Sequence, residues 1–284
     1  MTFRVRFAVA AACLIAPVAG WAQSVDSAPP SAAAPGEPHP EVSGVGPALR
    51  NELKRYGTDS LGIVTAPLSW KAGDWEKAAA FGAVLGGLFA ADKSIDRRAQ
   101  EVRSPFLNSV SNSTTFLGAE AAFGISGAMI LGGIAFRSPE TRDTGRDALE
   151  AAVVAGLLDN VVKRAAGRVR PINSNGRTIF EPGSSNGSFA SGHATVAFAV
   201  ASVVAARSQG WVLPGLAYAA ATLVAMDRVN SRAHFASDVF AGAVLGTVTG
   251  RWLVHRHLSK SAGPGGATVD VSPTGRGLAV KVRF

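Results

Sequence analysis

From residue 76 onward the chain alternates long apolar runs with short polar patches. The apolar runs cover residues 76–92, 116–136, 147–163, 194–206, 211–226 and 235–255. Each is too long for an ordinary strand and lacks strict alternation, so the pattern predicts six helices. They are rich in Ala and Gly, and Gly82, Gly86 and Gly87 in the first run would permit close approach by a neighbour. Inside the second and third runs charge enters sparingly, at Glu120, Glu150 and Asp159. Asp92, Asp96, Arg97 and Arg98 read as a solvated helix end. Upstream, Pro67 to Trp70 reads as a loop, and Asp74 reads as the cap of the first helix. Pro171 reads as a helix stop. Gly210 breaks the fourth helix from the fifth. Residues 172–188 are polar and rich in Gly, Asn and Ser and read as a plain solvated loop, with a lid or substrate-binding segment as the alternative. Residues 267–284 change period: Val269, Val271, Leu278, Val280 and Val282 alternate with polar residues around Pro273-Thr274-Gly275, as in a β-hairpin. The fold class expected is therefore all-α, a six-helix bundle with a short C-terminal β-hairpin.

Residues 1–22 have a basic start at Arg4 and Arg6, a short apolar core and a small-residue end, the pattern of a secretory signal. Residues 23–48, rich in Pro, Ala, Ser and Gly, read as a disordered linker. Residues 49–258 then form the helical domain, and 259–284 a connector with the hairpin. The only cysteine, Cys13, lies in the signal-like segment, so the exported chain would carry no disulfide. The formal net charge is +8, and loss of the two leading arginines would leave +6. That balance suits anionic lipid surfaces or phosphorylated substrates. Nothing in the sequence has the pattern of a nucleic-acid module. His255 and His257, two apart on a helix, point in different directions and read with Arg251 and Arg256 as a basic helix end.

The polar patches between the later helices carry chemistry. Lys163 ends the third helix, His193 begins the fourth, Arg228 ends the fifth and His234 begins the sixth. Antiparallel neighbours joined by short connections would bring these ends to one side of the bundle. Lys163, Arg170 and Arg228 could supply cations for an oxyanion, the arginines with a bidentate fork. Ser191-Gly192-His193 is a small-residue turn leading into a helix, where free backbone N–H groups make an anion seat. His234 and Asp238 are four apart, so a helical turn places them on one face. A carboxylate accepting from one imidazole nitrogen would leave the other free to attack.

These residues resemble the type 2 phosphatidic acid phosphatase (PAP2) superfamily, which includes bacterial nonspecific acid phosphatases and vanadium haloperoxidases. Lys163 with Arg170-Pro171, then Ser191-Gly192-His193, then Arg228, His234 and Asp238 match its three motifs at the family spacing. Ala190 stands where the family usually has Pro, and Asp227 where it usually has Ser. Ser231-Arg232 lies too close to His234 to be the motif pair. The resemblance implies a helical bundle of the PAP2 type and a two-step hydrolysis. His234 would be the nucleophile, Asp238 its orienting carboxylate and His193 the acid, then the base. Lys163, Arg170, Ser191, Gly192 and Arg228 would cradle the phosphate, with no metal or other cofactor. Asp227 would sit beside the anion site unless it pairs with Arg228 or Arg232.

The expected function is hydrolysis of a phosphomonoester or diphosphate, with a lipid phosphate as the favoured substrate, at a periplasm-facing site in the inner membrane or in the periplasm itself. The competing readings are a soluble periplasmic acid phosphatase, a vanadate-dependent haloperoxidase and a non-catalytic binding protein with a degenerate pocket. Several apolar runs are shorter than the ~20 residues a spanning helix needs, yet residues 194–226 carry almost no charge beyond Arg207. The sequence leaves the oligomeric state undetermined.

Overall fold

The computed structural model describes residues 45–103, 119–261, 268–274 and 277–283. The signal-like segment and nearly all of the linker lie outside the described residues. Eight α-helices occur among them: α1 (Val45–Thr65), α2 (Ala72–Glu101), α3 (Ala119–Ala135), α4 (Pro139–Ala166), α5 (Pro171–Ser174), α6 (Gly192–Arg207), α7 (Val212–Asn230) and α8 (Ala236–Ser261). A 3-10 turn (Ala66–Ser69) joins α1 to α2. Two strands, β1 (Thr268–Thr274) and β2 (Gly277–Arg283), pair antiparallel with Val271 opposite Val280. The chain is mostly helical.

The count of six helices is thus corrected to eight, for two physical reasons. Helix α1 is peppered with Arg50, Glu52, Lys54, Arg55 and Asp59, so it lacks the apolar run that marked the others. Helix α5 is a single turn with Pro171 at its first position. Proline has no N–H to lose there and its fixed φ suits a helix start, so Pro171 opens a turn rather than closing one. What ends α4 is Gly167, in the left-handed conformation at φ 56°, whose N–H bonds the Lys163 carbonyl at 2.8 Å. Asp74 is likewise not the cap of α2 but lies in its first turn, where Oδ2 accepts the Lys71 N–H at 3.2 Å.

The core lies between α4, α6 and α8. Ala148, Ala151, Ala152 and Ala155 of α4 face Val196, Ala199, Val200 and Val203 of α6, with Leu253 and Val254 of α8 completing the cluster. Such small side chains bury little area each, so the helices must approach closely. Gly242, Gly246 and Gly250, four apart on α8, allow this. A Cβ on Gly246 would lie 2.0 Å from the Thr195 carbonyl oxygen, and one on Gly250 2.5 Å from that of Ala199. This glycine ridge locks α8 against α6, in the small-residue manner of close helix pairs. Gly82, Gly86 and Gly87 are the expected contact points, but a Cβ on any of them meets nothing within 4 Å among the described residues.

The outer helices are apolar on their open faces. Two described helices, α2 and α7, are long and apolar enough to cross a membrane. Only 6% of the apolar window of α2 and 28% of that of α7 are buried within the protein, unlike the core helix of a soluble domain.

Candidate active site

Three chain segments meet where α4 ends and α6 and α8 begin. The stretch after α4 doubles back on itself: Val169 N–H bonds the Ile179 carbonyl, Glu181 N–H the Gly167 carbonyl, and Ser188 N–H the Arg168 carbonyl, each at 3.0 Å. The expected loop 172–188 is therefore pinned along residues 167–169 and delivers Ser188 beneath the start of α8. From there Ser191 N–H bonds the Asp238 carbonyl at 3.0 Å, tying the start of α6 to the first turn of α8.

Lys163 reaches this junction from the last turn of α4. Its ammonium pairs with Asp159 and donates to the Ala190 carbonyl at 2.7 Å. A Cβ on Gly192 would lie 3.1 Å from Nζ, so the ammonium sits against the first residue of α6. Ser191 is fully buried, and its hydroxyl has no hydrogen-bond partner among the described residues. It does not cap α6 either. A buried orphan hydroxyl is costly unless something else bonds it. Arg170 is exposed. Its charge nevertheless acts on both Lys163 and His234.

His234 is 4% exposed, and its backbone N–H bonds the Arg228 carbonyl at 3.0 Å. Its Nδ1 lies 2.7 Å from the Ser188 carbonyl oxygen. A carbonyl can only accept, so Nδ1 carries the proton and Nε2 keeps its lone pair. Burial, then the Lys163 charge, push the imidazole down to about 3, so it is neutral near pH 7. His193 is partly exposed on the first turn of α6. Burial and the neighbouring Arg228 guanidinium hold it below the ordinary imidazole value.

Asp238 does not touch His234 as expected. Its Oδ2 is 3.9 Å from Nδ1, beyond a hydrogen bond. Instead Oδ2 accepts the Ser188 hydroxyl at 2.6 Å and the Phe235 N–H at 2.9 Å, while Oδ1 pairs with Arg168. The orienting chain therefore runs Asp238 to Ser188 to His234: the carboxylate fixes Ser188, whose carbonyl fixes the imidazole. Asp227 pairs with the Arg228 guanidinium, through Nε at 2.8 Å and through Nη2. It is thus bound to a site cation rather than opposing an anion alone. Arg232 is taken by Asp96 at 2.7 and 3.0 Å.

Sequence reasoning assigned no role to Arg168, Asp92 or Ser188. Arg168 is fully buried, paired with Asp92 at 2.7 Å and with Asp238 at 2.5 Å. The rings of Phe235, Phe89 and Phe180 flank its guanidinium at 4.0, 4.8 and 5.4 Å. Asp92 also accepts the Ser237 N–H at 3.0 Å. Asp92 and Asp96 are buried, so the expected solvated face is corrected for these two carboxylates, which join α2 to the site, while Arg97 and Arg98 are exposed as expected. No local signal marked Arg168: strand-like alternation would put it on the same face as Arg170, two residues on, yet Arg168 is buried and Arg170 exposed.

The junction thus joins a neutral buried imidazole, a second imidazole under a neighbouring cation's field, the Lys163 ammonium, and a helix-start hydroxyl with no partner among the described residues. Such an arrangement can hold and attack a tetrahedral oxyanion. Residues 145–261 match the family model of the PAP2 superfamily, a segment that contains all three motifs. The resemblance read from those motifs therefore holds across that segment. A lipid A 1-phosphatase of Porphyromonas gingivalis is 32% identical over 108 residues, covering 37% of this chain and 21% of the relative. The chain thus spans about a fifth of the curated relative it matches. Two solved structures are also similar. A transmembrane PAP2-type phosphatidylglycerolphosphate phosphatase from Bacillus subtilis has TM-score 0.49 and 26% identity over 64% of this chain and 96% of that one. LpxE from Aquifex aeolicus has TM-score 0.44 and 19% identity over 58% and 94%.

Proposed function

We propose that the protein is a phosphatase that hydrolyses a lipid phosphate through a phosphohistidine intermediate. The observation that carries this reading is the bond from His234 Nδ1 to the Ser188 carbonyl, which leaves Nε2 as a buried, unprotonated nucleophile beside the Lys163 ammonium. In the first step Nε2 forms a bond to phosphorus as the bond to the leaving oxygen breaks, and His193 gives that oxygen its proton. In the second, water forms the new P–O bond, His193 takes back a proton, and the N–P bond breaks. Lys163, Arg170, Arg228, the Ser191 hydroxyl and the Gly192 N–H stabilise the charge on the phosphoryl oxygens. Asp238 acts as a positioning residue through Ser188.

The PAP2 match over 145–261 and the lipid A 1-phosphatase similarity support a lipid phosphate. The open apolar faces of α2 and α7 support a protein set in the membrane. In the same reading residues 1–22 direct export, residues 23–48 are a linker, residues 49–258 form the phosphatase domain with its site toward the periplasm, and residues 259–284 form a connector and hairpin. His234→Ala, assayed on p-nitrophenyl phosphate and on a panel of lipid phosphates, should lose turnover by at least ~10³-fold. Wild-type rates in a variant of unchanged helical content would refute the assignment.

A further inference from the structure

Helix α4 carries charge at both ends. Lys163 lies at the phosphatase site, whereas Arg142, Arg146 and Asp147 lie about 24–31 Å away along the helix, at ~1.5 Å per residue. Two cavities meet at that far end. The first, about 380 Å³, is lined by Arg55, Arg142, Arg146, Arg207 and His257, with Asp143 and Asp147 as its carboxylates. The second, also about 380 Å³, is lined by Tyr56, Ile130, Ile134 and Leu149. Arg142 and Arg146 line both.

The carboxylates hold the arginines in place rather than cancel them. Asp147 accepts from Arg55 at 3.0 Å and from Arg207 Nε at 2.7 Å, and lies 3.0 Å from His257 Nδ1. Asp143 accepts from Arg142 at 3.0 Å. Behind them Glu150 pairs with Arg55, and Asp59 with Arg256 and His257. Asp59, Glu150 and His257 come within 4.8 Å of one another, but Arg55 and Arg256 already fill the cation's place there. Four guanidiniums and two carboxylates line the first cavity, and Glu150 behind them offsets Arg55, which leaves a surplus of one positive charge suited to an anion. The second cavity opens beside Leu131, Ile134 and Phe136 of α3 and its C-terminal end, which are 69%, 59% and 84% exposed. A soluble anion would use only the first cavity. A ligand with a charged head and a hydrocarbon tail would use both.

We propose that this end of the bundle binds an anionic phospholipid, its phosphodiester among Arg142, Arg146 and Arg207 and an acyl chain against Ile130, Ile134 and Leu149. The site is separate from the phosphatase centre, and its lipid is held rather than hydrolysed. Native mass spectrometry of the full chain in dodecyl maltoside tests it, with dioleoylphosphatidylglycerol, a diester, against dioleoylphosphatidylcholine. Wild type should retain phosphatidylglycerol about tenfold more tightly than phosphatidylcholine, and Arg142→Ala/Arg146→Ala should lose that preference. Arg146 is exposed, so Arg146→Glu carries the same test if the double variant does not fold. Ile134→Asp should weaken lipid retention, and His234→Ala should leave it intact, which separates this site from the catalytic reading. Equal retention of both lipids, or full retention in folded Arg146→Glu, would overturn the proposal. So would a melting-temperature rise from inorganic phosphate that equals the rise from phosphatidylglycerol and is abolished in Arg146→Glu, since the tail would then contribute nothing.

Discussion

Arg168 and His234 are both buried near Asp238, but only Arg168 pairs with it. Asp92 shares that guanidinium, and three aromatic rings surround it. Arg168→Ala would leave two carboxylates buried without their cation, at a cost of about 3–5 kcal/mol, which thermal unfolding in detergent would register. Arg168→Lys should recover only part of that, because an ammonium cannot offer the same fork to two partners. His234 instead stays neutral, and that sets the pH profile. Catalysis needs His234 unprotonated and His193 protonated. With His234 at about 3 and His193 held below its ordinary 6.5, kcat/KM should be greatest in the acidic range. It should fall as pH rises through the lowered His193 value, and a maximum above pH 7.5 on p-nitrophenyl phosphate would contradict the assignment. Asp238→Asn should lower kcat more than it raises KM, because the carboxylate acts on the nucleophile's orientation through Ser188 and not on the phosphate.

At the scale of elements, the site depends on how closely α6 and α8 approach. His193 lies in the first turn of α6, His234 two residues before α8, and the two helices are locked by Gly242, Gly246 and Gly250. Gly246→Val would drive a branched side chain into the Thr195 carbonyl. It should cost about 1–3 kcal/mol or more in stability and also separate the two imidazoles, so melting temperature and turnover should fall together. A Gly246→Val protein with wild-type turnover would show that this contact does not set the site. The apolar runs marked six of the eight described helices, and the fixed spacings of Lys163, His193 and His234 placed all three at helix ends. Helix α1 was hidden because its charged residues masked the apolar pattern, and α5 because a proline can open a turn as well as close one. The glycine contacts were assigned to α2 rather than α8, since the sequence shows which helices can approach closely but not which partner each one finds. Arg168, Asp92 and Ser188 were missed for a related reason: their roles come from partners 46 to 145 residues away, which no local spacing encodes.

The site cations and the arginine cluster lie at opposite ends of α4, and several helices expose large apolar side chains. Trp211, Leu216 and Met226 of the α7 region are each more than 60% exposed, as are Leu131 of α3 and Val161 of α4. A face of this kind fits hydrocarbon better than water, so the protein should remain in the membrane pellet after alkaline carbonate extraction. Release into the soluble fraction would defeat the membrane reading while leaving the chemistry intact. That chemistry is tested most directly by trapping the covalent intermediate. Rapid acid-free quench of the full chain with a ³²P-labelled phosphomonoester, followed by peptide mapping, should find phosphate on the peptide containing His234. The label should be stable to base, labile to acid and absent from His234→Ala. Phosphate on any other residue, or steady turnover with no label on that peptide, would contradict the account.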